Sequence, residues 1–208
     1  IGGATFRLHP LPEASESVVL PGLSAAEVVA AMSRVRAAQL EPVAAAALRG
    51  SSGYDLALSF EGFGKGVEQQ IVTLRQLAPA ARATEDAWAR HDEVRTGGPL
   101  RIKVAALPSQ LPEVDRLVAP LGLRFAWYAT LGLGFASGAS VEHAAGLIAD
   151  ARAELARRGG SLVVQAALST LRVDPWGPPP PAFPLFERLK QNFDPDRRLN
   201  PGRFVGGL

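Results

Sequence analysis

Twice in its 208 residues the chain runs through the same order of hydrophobic patterns, strand, helix, strand, strand, helix. That order restricts the folds open to it more than any other feature. In the first pass Ser17-Val18-Val19-Leu20 reads as a strand, and Ser24-Ala25-Ala26-Glu27 as a capping box that starts a helix. Val28, Val29, Met32 and Val35 give that helix one buried stripe as far as about Gln39. Val43–Leu48 and Tyr54–Phe60 then predict two strands joined across Gly50-Ser51-Ser52-Gly53, a flexible link suited to a hairpin. Tyr54, Leu56, Leu58 and Phe60 alternate with Asp55, Ala57 and Ser59, so one face of the second strand is expected to be buried. A helix over Gly66–Leu77 and another near Thr84–Val94 complete the pass.

The second pass begins about eighty residues later and shares the pattern without residue identity. It has a strand at Leu100–Ala106, a helix over Ser109–Leu121 broken early by Pro112, and strands at Arg124–Ala129 and Gly132–Ser137. A long helix over Ser140–Arg158 and a last strand, Leu162–Ala166, follow. Two successive units of this kind predict an α+β fold, duplicated ferredoxin-like βαββα units forming an antiparallel sheet with helices on one face. The opposite face, if apolar, then needs a covering domain or a second copy, because it exceeds the few hundred Å² that monomers usually expose.

Composition narrows the chemistry. The absence of cysteine removes disulfides, thiolate zinc sites, iron-sulfur ligation and cysteine nucleophiles. The three histidines, His9, His91 and His143, fall in separate segments without ligand spacing, so no metal site is expected. His9 reads as structural, and His91 and His143 as solvated on helix surfaces. The formal charge of +2 is spread along the chain, and the strands are rich in Val, Leu and Ala rather than basic and aromatic residues, so no nucleic-acid partner is expected. There is no run of about eighteen apolar residues and no signal-peptide pattern.

The ends differ from the middle. Ala4–His9 reads as a strand stopped by Pro10-Leu11-Pro12, and the start at Ile1 without methionine suggests a chain cut from something longer. Near the other end, VDPWGPPPPAF imposes an extended crossing. Trp176 within it either caps a cleft edge or packs on the core, with packing preferred. Leu185, Phe186, Leu189 and Phe193 then predict a short amphipathic helix over Ala182–Phe193, ended by Asp194-Pro195. Asn200-Pro201-Gly202-Arg203 has the signature of a type II turn, whose first and fourth residues lie within about 7 Å. The Asn200 amide and Arg203 guanidinium can thus face one target, a heterocyclic carbonyl, a carboxylate or a phosphate. Turn chemistry alone favours plain punctuation.

The string LKQNFDPDRRLNPGRFVG, Leu189 to Gly206, with Trp176-Gly177-Pro178-Pro179-Pro180 upstream, resembles the C-terminal end of the FAD-binding subunit of glycolate oxidase, in the vanillyl-alcohol oxidase and p-cresol methylhydroxylase flavoprotein family. ATFRLHPLPE resembles the handover from that family's FAD-binding domain to its substrate or cap domain. The resemblance covers only the two ends. It implies that 1–12 ends the FAD-binding domain, 13–170 is the cap domain, and 171–208 returns to the flavin site. It further implies FAD as cofactor and oxidation of a small 2-hydroxy acid, glycolate first, to the 2-oxo acid. The partners implied are the N-terminal FAD-binding domain, lying outside this chain, and the iron-sulfur and second flavin subunits of a cytoplasmic complex, peripheral at the inner face of the membrane through those subunits. Asn200 and Arg203 would lie near the flavin ring, and Ile1 and Gly2 would touch it through backbone groups. No residue is assigned as catalytic base, and this chain alone is expected to be colourless and inactive. An independent ferredoxin-like module that binds a small molecule or dimerises, without redox activity, is the other reading.

Overall fold

A computed structural model describes Gly3, Thr5, Phe6 and residues 10–208. Ile1, Gly2 and His9, together with most of the expected first strand, lie outside the described residues. The chain divides into two compact units, Ile1–His91 with Tyr128–Thr130, and Asp92–Trp127 with Leu131–Leu208. It is an α+β protein whose strands pair antiparallel.

The first unit contains β1 (Ala14–Leu23), α1 (Ala25–Ala37), β2 (Ala44–Gly50), β3 (Gly53–Gly62), α2 (Gly64–Leu77) and the two-residue β4 (Arg82–Ala83), followed by the start of α3 (Ala87–Thr96). Its strand order is β4-β1-β3-β2. α1 begins where the capping box places it, with the Ser24 hydroxyl accepting from the Glu27 N–H at 3.2 Å and the Glu27 carboxylate accepting from the Ser24 N–H at 2.8 Å. These bonds, the backbone one first, hold the Glu27 carboxyl below its ordinary pKa. β2 and β3 form the expected hairpin, closed by a Gly50–Gly53 pair with Gly53 at φ 127°.

The expected one-sided sheet is corrected in this unit. Val18 and Leu20 of β1 share a face with their partners Leu58 and Leu56, and Leu20 packs beside Ala31 and Val35 of α1 and Leu74 of α2. The other face, which carries Ser17, Asp55 and Ser59, is covered from α3. The Trp88 indole N–H donates to the Ser17 hydroxyl at 2.9 Å, and Arg90 donates through both terminal nitrogens to Asp55 Oδ2 at 3.1 Å. Helices thus contact both faces, because Ser17 and Asp55 accept hydrogen bonds from α3, and the Ser17 hydroxyl donates in turn to Ser59 at 3.2 Å. His91 is corrected with them, being only 4% exposed and in edge contact with the rings of Trp88 and Tyr128.

The second unit contains β5 (Leu100–Ala105), α4 (Leu111–Val118), β6 (Arg124–Tyr128, its last residue grouped with the first unit), β7 (Leu133–Gly138), α5 (Ala144–Arg157) and β8 (Ser161–Ala166). Its strand order is β6-β7-β5-β8. Leu100, Ile102 and Val104 of β5 are fully buried, and their β8 partners Leu162 and Val164 are buried with them. α4 contributes Leu111, Val114 and Val118 to the core, and α5 contributes Ile148, Ala151 and Leu155. Alternation leaves Arg101, Lys103 and Ala105 on the opposite, half-open face, with Phe135 of β7 and Val163 of β8 beside Lys103. His143, at φ 61° before α5, is largely exposed, and the helix starts later than its hydrophobic pattern suggests. Among the described residues, no helix is long and apolar enough to cross a membrane.

Candidate functional site in the C-terminal segment

After β8 the chain turns back along it, and the Val164 N–H donates to the Pro175 carbonyl at 2.8 Å. Arg152 of α5 holds this return, donating from Nε to the Leu162 carbonyl at 3.0 Å and from Nη2 to the Pro175 carbonyl at 2.7 Å. Burial lowers the Arg152 pKa, and the neighbouring Asp174 charge opposes that. The Asp174 carboxylate accepts from the Trp176 and Gly177 N–H groups at 2.8 and 3.2 Å, which turns the chain sharply before the proline run.

Trp176 does not pack on the core, as its apolar bulk suggests. It is 36% exposed, its indole N–H donates to the Arg203 carbonyl at 2.9 Å, and its ring meets Phe204 edge-on at 4.9 Å. It therefore clasps the tail rather than filling the interior.

α6 (Phe183–Phe193) forms where the apolar spacing places it and stops at Asp194. Its surroundings correct the expectation of a buried stripe. None of its residues is buried, and Phe193 is 81% exposed. Leu185 and Leu189 are open as well. Helical periodicity reports which residues share a side, and on α6 that side is covered only in part, Phe186 meeting the Phe204 ring at 5.8 Å while Leu185, Leu189 and Phe193 stay open.

The segment after α6 is organised by Asp194, expected from the sequence only as the stop before Pro195. Its side chain is 8% exposed. Oδ1 accepts from the Arg198 N–H at 2.8 Å, Oδ2 accepts from the Leu199 N–H at 2.9 Å, and Lys190 Nζ lies 2.5 Å from Oδ2. The Lys190 bond first, and then the Leu199 N–H, push the Asp194 carboxyl down from 3.8 to about 2, against the opposing effect of burial. Lys190 also donates to the Leu199 carbonyl at 2.7 Å, so one ion pair fixes both ends of the loop. A lysine four residues before an Asp-Pro step is the signal that could have revealed it.

The Asn-Pro-Gly-Arg turn is type II. Gly202 has φ 72°, and the Arg203 N–H donates to the Asn200 carbonyl at 3.2 Å. Asn200 itself takes φ 45°, a left-handed conformation that asparagine tolerates better than most residues. Asn200 and Arg203 both line one groove of about 700 Å³, walled by Phe186, Leu189, Leu199 and Phe204. The turn thus brings together the two residues singled out in the sequence, and it sets them against the apolar side of α6. Ile1 and Gly2, the other residues expected at a site, lie outside the described residues.

No protein-family model matches the chain, and no curated protein matches it. Among solved structures it is similar to alkyldihydroxyacetonephosphate synthase in two crystal forms, at 15% identity with a TM-score of 0.49 and at 16% identity with a TM-score of 0.48. Each alignment covers 90% of this chain and 44% of the other, so the chain spans less than half the length of those structures.

Proposed function

We propose that this chain is the cap and C-terminal part of an FAD-dependent oxidoreductase that oxidises a small 2-hydroxy acid, glycolate first, to the 2-oxo acid. The observation that carries the reading is the meeting of Asn200 and Arg203 in one apolar groove, at the end of the stretch that resembles the glycolate oxidase FAD-binding subunit. Residues 171–208 are then the return to the flavin, 13–170 the cap, and 1–12 the exit from an FAD-binding domain. The sequential order β1-α1-β2-β3-α2 set beside β5-α4-β6-β7-α5 supports two ferredoxin-like copies within the cap.

The lining of the groove suits the edge of a flavin ring. Phe186, Leu189, Leu199 and Phe204 offer apolar walls to a flat ring system, the Asn200 amide can both donate to and accept from ring heteroatoms, and Arg203 supplies a cation on a backbone held at both its N–H and its carbonyl. Bound FAD supplies the acceptor for the hydride that leaves C2 of the hydroxy acid. Arg203 would favour negative charge at the groove rim, on the ring or on a substrate carboxylate. Asn200 would orient whichever group it meets, and the Lys190–Asp194 pair would hold both at their stations by fixing the loop that carries them. The rest of the FAD site belongs to the N-terminal domain in this reading, and the acceptors beyond it are an iron-sulfur and a second flavin subunit, at the cytoplasmic face of the membrane. Anaerobic addition of glycolate or D-lactate to the full-length parent, followed at the flavin absorbance bands, tests the reading. Bleaching is expected, and a parent without flavin, or with flavin unchanged by either acid, overturns it.

A further inference from the structure

The half-open face of β5 and β8 forms the floor of a second groove, of about 940 Å³, with the C-terminal tail as its wall. Lys103 rises from the middle of β5, between its register partners Phe135 on β7 and Val163 on β8. Arg203 enters from the tail, since it lines this groove as well as the one beside α6. Its backbone is held at two points, the N–H by the Asn200 carbonyl and the carbonyl by the Trp176 indole. Neither the Lys103 ammonium nor the Arg203 guanidinium has a hydrogen bond or ion pair to a described residue. Two cations on ordered backbone therefore line one cavity, and the acidic side chain that lines it with them, Asp174, accepts from two backbone N–H groups rather than from either cation.

The rest of the lining defines what kind of anion fits. Val163, Leu133, Trp176 and Phe204 supply apolar and aromatic surface alongside the cations. Inorganic phosphate would leave that surface wetted, whereas an organic acid covers it and gains the corresponding hydrophobic stabilisation. Asp174 also lines the groove, and although its Oδ1 accepts from the Trp176 and Gly177 N–H groups, its negative charge disfavours a polyanion. A two-carbon acid fills little of a space within the range that holds drug-sized ligands, roughly 300–1,000 Å³.

We infer that this groove binds an organic monocarboxylate with an apolar or aromatic body, its carboxylate held between Lys103 and Arg203 and its body lying against Val163, Trp176 and Phe204. The site shares Arg203 with the groove beside α6 but requires no cofactor, so acid binding to this chain is read separately from flavin chemistry in the parent. Calorimetric titration of the 208-residue chain with 3-phenylpropanoate, 3-phenylpropanamide, acetate and inorganic phosphate tests it. The acid is expected to bind at least about tenfold more tightly than the amide, which lacks the charge, and than acetate or phosphate, which lack the body. Lys103→Met and Arg203→Met are each expected to weaken the acid about tenfold, with Lys103→Arg within about threefold of the parent chain. Equal binding of acid and amide, phosphate binding as tightly as the acid, or no binding of the acid would overturn the inference. So would a Lys103→Met chain that binds like the original.

Discussion

At the scale of single residues, Asp194 decides the geometry of the tail. Its carboxylate satisfies two backbone N–H groups and a lysine, and no neutral side chain does all three. Because its folded pKa is depressed to about 2 from 3.8, the stability it adds is fully present above about pH 4 and is lost as pH falls toward 2. In an NMR titration the Arg198 and Leu199 amide signals are expected to move together across that window, with the tail releasing at its acid end. Asp194→Asn should abolish the transition and lower the hydrogen-exchange protection of both amides at neutral pH. Amides that titrate only with the bulk of the protein would contradict the assigned role. Asn200 and Arg203 were legible in the sequence because turn chemistry is local, with proline and glycine dictating φ at the two central positions. Asp194 was hidden because two of its three partners are backbone groups, which leave no mark in residue identity, and Lys190 four residues earlier is its one side-chain sign. Lys103 was hidden for another reason, since a lone lysine in a strand pattern signals only a polar face, and the tail that makes it part of a groove arrives about a hundred residues later.

At the scale of elements, the strands and helices followed from periodicity and capping. α1 shows this most plainly, since both reciprocal bonds of Ser24 and Glu27 are formed. Ser24→Ala is expected to cost about 1 kcal/mol in chemical denaturation. A change below about 0.3 kcal/mol would mean that the cap adds little to the fold. What periodicity could not reveal is which surface an element meets. α3 has little apolar stripe, yet it is placed by Trp88 and Arg90 bonding to Ser17 and Asp55, residues far apart in the chain. α6 is the reverse case, a clear stripe that the tail covers only at Phe186. Phe193→Ser on α6 is expected to change the stability of this chain by no more than about 0.5 kcal/mol. Ile102→Ala, at a fully buried position of β5, should cost about 2–5 kcal/mol. If the two substitutions cost the same, the α6 stripe is buried after all.

At the scale of the whole molecule, two antiparallel units of similar element order carry a tail whose polar pair lies in an apolar groove. If the chain is the cap proposed above, the open groove and the exposed residues of α6 await a flavin-bearing domain, and the isolated chain should purify without the yellow of flavin. A flavin spectrum near stoichiometric in this chain alone would overturn that expectation. The central claim, that Asn200 and Arg203 serve flavin chemistry together, is tested most directly in the full-length parent. The measurement is the rate of flavin bleaching by glycolate or D-lactate, compared between the parent and its Asn200→Ala and Arg203→Ala variants. Each variant is expected to slow bleaching at least about tenfold or to lose flavin, since each removes a hydrogen-bonding or charged group from the groove. Unchanged rate and flavin content in both variants would contradict the claim and leave the turn as a structural stop.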